Sequence, residues 1–287
     1  MNRKQALKSI AAGSAAVVGL PSISKAFSLL PPELKGNINH SACRWCYQDI
    51  PLEDLVVAGK QMGLKSIELL GPKDWAVVNK HGLTCAMGYG SEIGLNRGFN
   101  DPKLHAQLLK DFTENIPKAA DAGLKNLICF SGNTNGLSSE QGLENCAKGL
   151  EPVVKIAQKH NITISMELLN SKVDHKDYQC DHTAWGVALC EKLGSENFRL
   201  LYDIYHMQIM EGDVIATIKK DIKYISHFHT GGVPGRHEID NTQELQYPAI
   251  MAAIAATGFK GFVAQEFIPA KADKLASLKQ GVEICDI

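Results

Sequence analysis

From residue 37 onward, short apolar runs alternate with longer stretches in which apolar residues recur at helical spacing. Runs such as Leu127-Ile128-Cys129-Phe130 and Ile162-Thr163-Ile164-Ser165-Met166 are β-branched or aliphatic and nearly continuous, as in strands buried on both faces. Runs of this kind predict strands at about 38–42, 65–69, 83–88, 125–130, 162–167, 198–203, 224–229 and 261–267. The stretches between them predict helices near 52–62, 73–81, 102–122, 139–160, 181–194, 213–220, 245–257 and 270–283. Within 102–122, Leu104, Leu108, Phe112 and Ile116 stand four apart and make one apolar face. Gly123-Leu124 and Asn161-Ile162 place a residue that tolerates the left-handed conformation just before the next apolar run, where a helix closes. Ser138 and Asp101 are predicted N-caps, the latter followed by Pro102. Eight strand–helix units in succession call for parallel crossovers, so the predicted fold class is α/β, a single-domain (β/α)8 TIM barrel. A doubly wound open sheet is the alternative, weakened because the first predicted strand is not followed by Gly-x-Gly-x-x-Gly.

The first 26 residues break the pattern. Arg3, Lys4 and Lys8 precede an uncharged, mostly small or apolar stretch from Ile10 to Leu20, and Ser24-Lys25-Ala26 fits a cleavage site. This predicts an export signal over 1–26, a linker over 27–37 and the barrel over 38–287, with a periplasmic location. Arg3-Lys4 resembles a twin-arginine signal with its second Arg replaced by Lys. The apolar stretch is too short for stable membrane insertion. The 287 residues are 45% hydrophobic and 21% charged, an ordinary globular balance. Without residues 1–26 the chain carries 26 basic against 31 acidic residues, which argues against a nucleic-acid partner. All eight cysteines follow residue 26, and Cys43-Arg-Trp-Cys46 has redox spacing but no thioredoxin-like surroundings.

A TIM barrel carries its chemistry at the C-terminal ends of the strands. There the predicted strands five to eight end in Met166-Glu167, Tyr202-Asp203, Phe228-His229 and Gln265-Glu266. Each residue alone has a plainer use, such as a helix cap, an ion pair or a satisfied core histidine. Together, three carboxylates and an imidazole at equivalent strand ends point to a divalent cation held by Glu167, Asp203, His229 and Glu266. Without one, the converging acids would repel each other and lose hydration. Oxygen-rich ligation favours Mn²⁺ or Mg²⁺, with Co²⁺ and Zn²⁺ compatible. Trp45, Glu68 and Tyr89 follow other strands and are read as packing or supporting groups.

Asp203-Ile-Tyr-His206-Met-Gln and Pro234-Gly-Arg236-His-Glu238 resemble motifs of the hydroxypyruvate isomerase group, within the xylose-isomerase-like sugar phosphate isomerase/epimerase superfamily. The resemblance spans roughly residues 38 to 267. It implies a TIM barrel, the same four metal ligands, Glu167 and Glu266 as the acid/base pair, and His206 and Arg236 as substrate-binding residues. It also implies a homo-oligomer acting on a small keto acid or sugar, most simply interconverting hydroxypyruvate and tartronate semialdehyde. Two departures stand out. Hydroxypyruvate isomerases carry Gln at the position of His229, whereas ketose 3-epimerases carry His; and the usual member is cytoplasmic. A ketose 3-epimerase or an inosose-type dehydratase would use the same metal site, and a sugar-binding protein is the non-enzymatic alternative. A zinc nuclease on this barrel would need more ligands and a basic face.

Overall fold

The computed structural model describes residues 33–287; the export segment expected over 1–26 lies outside the described residues. Among the described residues, eight parallel strands follow one another as β1 (Asn39–Cys43), β2 (Ser66–Glu68), β3 (Gly88–Tyr89), β4 (Asn126–Cys129), β5 (Thr163–Glu167), β6 (Phe198–Asp203), β7 (Ile225–Thr230) and β8 (Phe262–Gln265). They pair in the order β2-β1-β8-β7-β6-β5-β4-β3. The ring closes between β2 and β3 through isolated bridges, with Leu69 N donating to Met87 O (2.8 Å) and Tyr89 N to Leu70 O (3.0 Å). The helices are α1 (Leu52–Gln61), α2 (Pro72–Lys80), α3 (His105–Asp121), α4 (Ser139–His160), α5 (Thr183–Leu193), α6 (Ile204–Met210), α7 (Val214–Asp221), α8 (Tyr247–Ala256) and α9 (Lys274–Cys285). None of them is long and apolar enough to cross a membrane. This is the predicted TIM barrel, in one domain.

Each predicted strand is present, but β3 is far shorter than the apolar run 83–88 suggested. Thr84 meets β2 only through an isolated bridge to Ser66, and the chain between it and Gly88 forms no regular ladder. Leu108, Phe112 and Ile116 are buried as the spacing predicts. Asn161 has φ +54° and Gly123 φ +83°, the left-handed closures expected of them. Ser138 Oγ caps α4 by accepting from Gln141 N at 3.1 Å. Asp101 caps a short 3-10 turn, Pro102–Leu104, that leads into α3, and not α3 itself. The helix α6 has no counterpart in the periodicity, because seven residues are too few to show one. Within the segment read as a linker, Lys35 N donates to Asp286 Oδ1 (3.0 Å) and Asn37 Nδ2 to Ile287 O (2.8 Å), tying the start of the barrel to its end. All eight cysteines are buried and unpaired.

His40, on β1, is 1% exposed, and neither ring nitrogen has a hydrogen-bond partner among the described residues. Burial lowers its pKa from 6.5 to about 4, outweighing Asp286, whose Oδ1 is 3.8 Å away. The unfolded chain takes up this proton near pH 6.5 and the folded chain only near pH 4. The contribution to stability is therefore whole above pH 6.5 and is lost as the pH falls toward 4. Denaturant unfolding of wild type and His40→Leu across that range is expected to show wild type losing up to about 3 kcal/mol more than the variant. Parallel curves would show that His40 is not held neutral.

Candidate active site and metal centre

Strand register brings the predicted residues together. Asp203 on β6 lies directly beside His229 on β7, and His229 beside Ala264, two residues before Glu266. Glu266 is placed just past β8 by its N–H, which donates to Thr230 O at 3.1 Å. Glu167, Asp203, His229 and Glu266 each offer a ligand atom, and those four atoms lie within 4.8 Å of one another. All four residues are buried. His229 Nδ1 stands 3.2 Å from Glu167 Oε1 and 2.9 Å from Glu266 Oε2. Asp203 has two tasks: its Oδ1 caps α6, accepting from Tyr205 N (2.8 Å) and His206 N (3.3 Å), while Oδ2 faces the cluster.

Arg236 reaches the cluster from the loop after β7. Its Nη2 donates to Glu266 Oε2 at 2.6 Å and to Asp203 Oδ2 at 3.3 Å, and its guanidinium lies over the Trp45 and Tyr205 rings. Its Nε has no partner among the described residues. His206 is fully buried, with Nε2 3.5 Å from Asp203 Oδ2. The six predicted residues thus form one constellation.

The two glutamates differ in environment. Burial, and then the charge of Glu266, pushes the Glu167 carboxyl above its ordinary value. Burial works against the Glu266 carboxylate too, but His229 and Arg236 outweigh it and hold that carboxyl well below the usual range. Facing carboxyl groups whose affinities for protons are driven apart suit general acid and base work. Burial also raises Asp203 well above the usual range, despite Arg236. A donor set of three carboxylates and one imidazole, each buried, fits a divalent cation. Arg236 offsets one of the three negative charges, and a divalent ion matches the remainder.

Asn170 was given no role from the sequence, and Trp45 and Glu68 were read as packing or supporting groups without their partners. Asn170 Oδ1 accepts from the backbone N–H groups of Val173 (3.0 Å) and Asp174 (2.9 Å). That fixes the amide so that Nδ2 donates to His206 Nδ1 at 2.6 Å, which leaves the His206 proton on Nε2, the nitrogen near Asp203. Trp45, read as packing, donates from Nε1 to Glu266 Oε1 at 2.8 Å. Glu68 lies inside the barrel: its Oε1 is 2.8 Å from His227 Nε2 and 3.0 Å from His229 Nε2. An Asn three residues past an acidic strand end, and a Glu ending an apolar run, were the available signals. Neither reveals its partner. A cavity of about 310 Å³ opens on the cluster, walled by Trp45, Tyr89, Phe130 and His175 and floored by Glu167, Glu266 and Arg236. It shares Tyr89, Leu95 and Phe130 with a neighbouring groove of about 880 Å³ that carries Lys73 and Arg97.

The chain is similar to known proteins to different degrees. The chain is 35% identical over 113 residues to a 2-oxo-tetronate isomerase of Cupriavidus necator; the match covers 39% of this chain and 43% of that relative. It is 28% identical over 197 residues to the hydroxypyruvate isomerase of Escherichia coli, covering 68% of this chain and 69% of the relative. Among solved structures, one described as an AP endonuclease, family 2, from Brucella melitensis superposes with a TM-score of 0.77 at 24% identity, over 86% of this chain and 99% of that one. At that identity the likeness speaks to the fold. A family model, xylose isomerase-like TIM barrel, matches residues 60–285, and the chain belongs to that family.

Proposed function

We propose that the protein is a metal-dependent isomerase of α-hydroxy carbonyl compounds, with hydroxypyruvate and tartronate semialdehyde as its substrate pair. The observation that carries the proposal is the pair Glu167 and Glu266, facing one cavity from either side of His229 with proton affinities driven apart. Glu167, Asp203, His229 through Nδ1, and Glu266 would hold the cation, with Mn²⁺ or Mg²⁺ the best match to an oxygen-rich set. Bound there, it supplies positive charge opposite the oxygens on which negative charge builds as the carbon proton leaves. One glutamate takes the proton from the hydroxyl-bearing carbon, the proton of that hydroxyl passes to the former carbonyl oxygen across the enediolate, and the other glutamate delivers a proton to the neighbouring carbon. Arg236 offers its unpartnered Nε to a substrate carboxylate, which suits a keto acid. His206, its proton fixed on Nε2 by Asn170, does not line the cavity; it faces Asp203 Oδ2 at 3.5 Å and steadies that carboxylate. The names of the isomerase relatives support this reading, and the sequence features of residues 1–26 support action after export.

A second reading has its own support. The cavity continues into a groove larger than a three-carbon acid needs, and His229 is the residue expected of ketose 3-epimerases. Returning the proton to the opposite face of the same carbon would make the enzyme an epimerase. Both readings are tested by incubating the protein with Mn²⁺ in D₂O and following hydroxypyruvate, ketoses and inososes by NMR. Metal-dependent deuterium entry into hydroxypyruvate, with tartronate semialdehyde appearing, is the expected result. Label confined to C3 of a ketose would move the assignment to epimerisation. No exchange with any of them, with metal bound, would overturn the proposal.

A further inference from the structure

Beneath the four-residue cluster lies another carboxylate. Glu68 ends β2 inside the barrel and is 0% exposed. Its Oε2 has no hydrogen-bond partner among the described residues. Its Oε1 meets His229 Nε2 at 3.0 Å and His227 Nε2 at 2.8 Å, with the Cys43 thiol more distant at 3.9 Å. A carboxylate in a barrel core is a costly way to fill space, since an apolar side chain of that size would fill it without losing hydration. Its short contacts are to the imidazoles, and one of these belongs to a residue of the cluster above.

An ionised carboxylate only accepts, so His229 carries a proton on Nε2. A cation would take the place of the Nδ1 proton that now faces Glu167 and Glu266, and the neutral imidazole then has Nδ1 as its one bare nitrogen. We propose that Glu68 is a positioning residue of the metal centre: it fixes the ring plane and tautomer of His229 so that the Nδ1 lone pair meets the cation. His227, two residues earlier on the same face of β7, grips the same oxygen. Its ring stands edge-on to His229 with centroids 5.2 Å apart, which leaves the carboxylate little freedom to swing away. The inference rests on the metal reading of the preceding section and not on the substrate. A competing use of the same atoms exists, because Cys43, Glu68 and His229 each offer a ligand atom within 4.8 Å of the others, enough for a second ion.

The test is titration of the metal-stripped chain with Mn²⁺ by calorimetry at fixed pH, with the bound ion counted by elemental analysis. Wild type is expected to bind one Mn²⁺. Glu68→Gln is expected to weaken binding about 10- to 100-fold while the metal-free variant keeps the wild-type circular dichroism. In a His229→Gln background there is no tautomer to set, so adding Glu68→Gln should change the affinity by less than about twofold. Wild-type affinity in Glu68→Gln would overturn the inference, as would an equal loss in both backgrounds, which marks a general structural effect. Two ions in wild type, one of them lost in both Glu68→Gln and Cys43→Ala, would make Glu68 a ligand in its own right and also overturn it. A wild type that takes no Mn²⁺ overturns the metal reading together with this inference. Normal titrations without deuterium exchange would sink the proposed reaction alone and leave the role of Glu68 standing.

Discussion

Glu167→Gln and Glu266→Gln are each expected to lower kcat by about 10²–10⁴-fold, the range associated with losing a general acid or base. Both replacements keep the size of the side chain and its ability to accept hydrogen bonds. Glu266 Oε1 takes the Trp45 indole N–H and Oε2 takes Arg236 Nη2, and a glutamine keeps one acceptor oxygen for these donors. The fold should therefore survive, with circular dichroism unchanged. A proton acceptor is lost in each case, and proton transfer needs both partners: one group removes the proton and the other supplies it. Bound Mn²⁺ must be measured on each variant, since both residues are also placed as ligands. Variants brought to full occupancy with excess metal and still inactive would support the acid/base roles. Substantial turnover in both at full occupancy would end that assignment.

The second large effect concerns stability. The four donor groups meet only when β5, β6, β7 and β8 are paired, so a cation held by them would bind the folded chain and not the unfolded one. Mn²⁺ at about a thousand times its Kd adds roughly 4 kcal/mol. For a domain of this size that raises Tm by about 8–16 °C over protein held in EDTA. Asp203 gives the control. Asp203→Asn should lose most of the rise, because a charged donor is gone, yet keep a side-chain oxygen to cap α6. Asp203→Ala should lose the rise and a further ~1 kcal/mol of cap in the metal-free protein. A full rise in both variants would remove Asp203 from the ligand set.

Much of this site could be read along the chain, for a simple reason. In a parallel barrel each strand ends at the same rim, so an acid or histidine closing an apolar run is assigned to that rim without knowledge of any contact. Glu167, Asp203, His229 and Glu266 were legible on that ground, and the family motifs added His206 and Arg236. Glu68 also closes an apolar run, but β2 lies across the barrel from β7, and its distance from His229 along the chain is 161 residues. Asn170 was overlooked because an amide after a strand end usually serves a turn, and this one does serve a turn with its oxygen. Its second bond, to His206, depends on how α6 packs. The helix α6 was itself too short for periodicity to reveal, and its cap is a residue the ligand pattern had already claimed.

By itself, the sequence determined the class of fold, the count and order of the strands and the donor types gathered at one rim. These follow from local patterns, namely apolar runs, helix closures and the residue that ends each strand. Register and side-chain direction were settled only by the tertiary structure. It placed Asp203 beside His229, brought Arg236 onto two of the acids, pushed Glu167 and Glu266 in opposite directions and put Glu68 behind the imidazole. Each of these depends on distances across the barrel, and burial makes those distances matter: away from water, one neighbour a few ångströms off decides which group holds the proton.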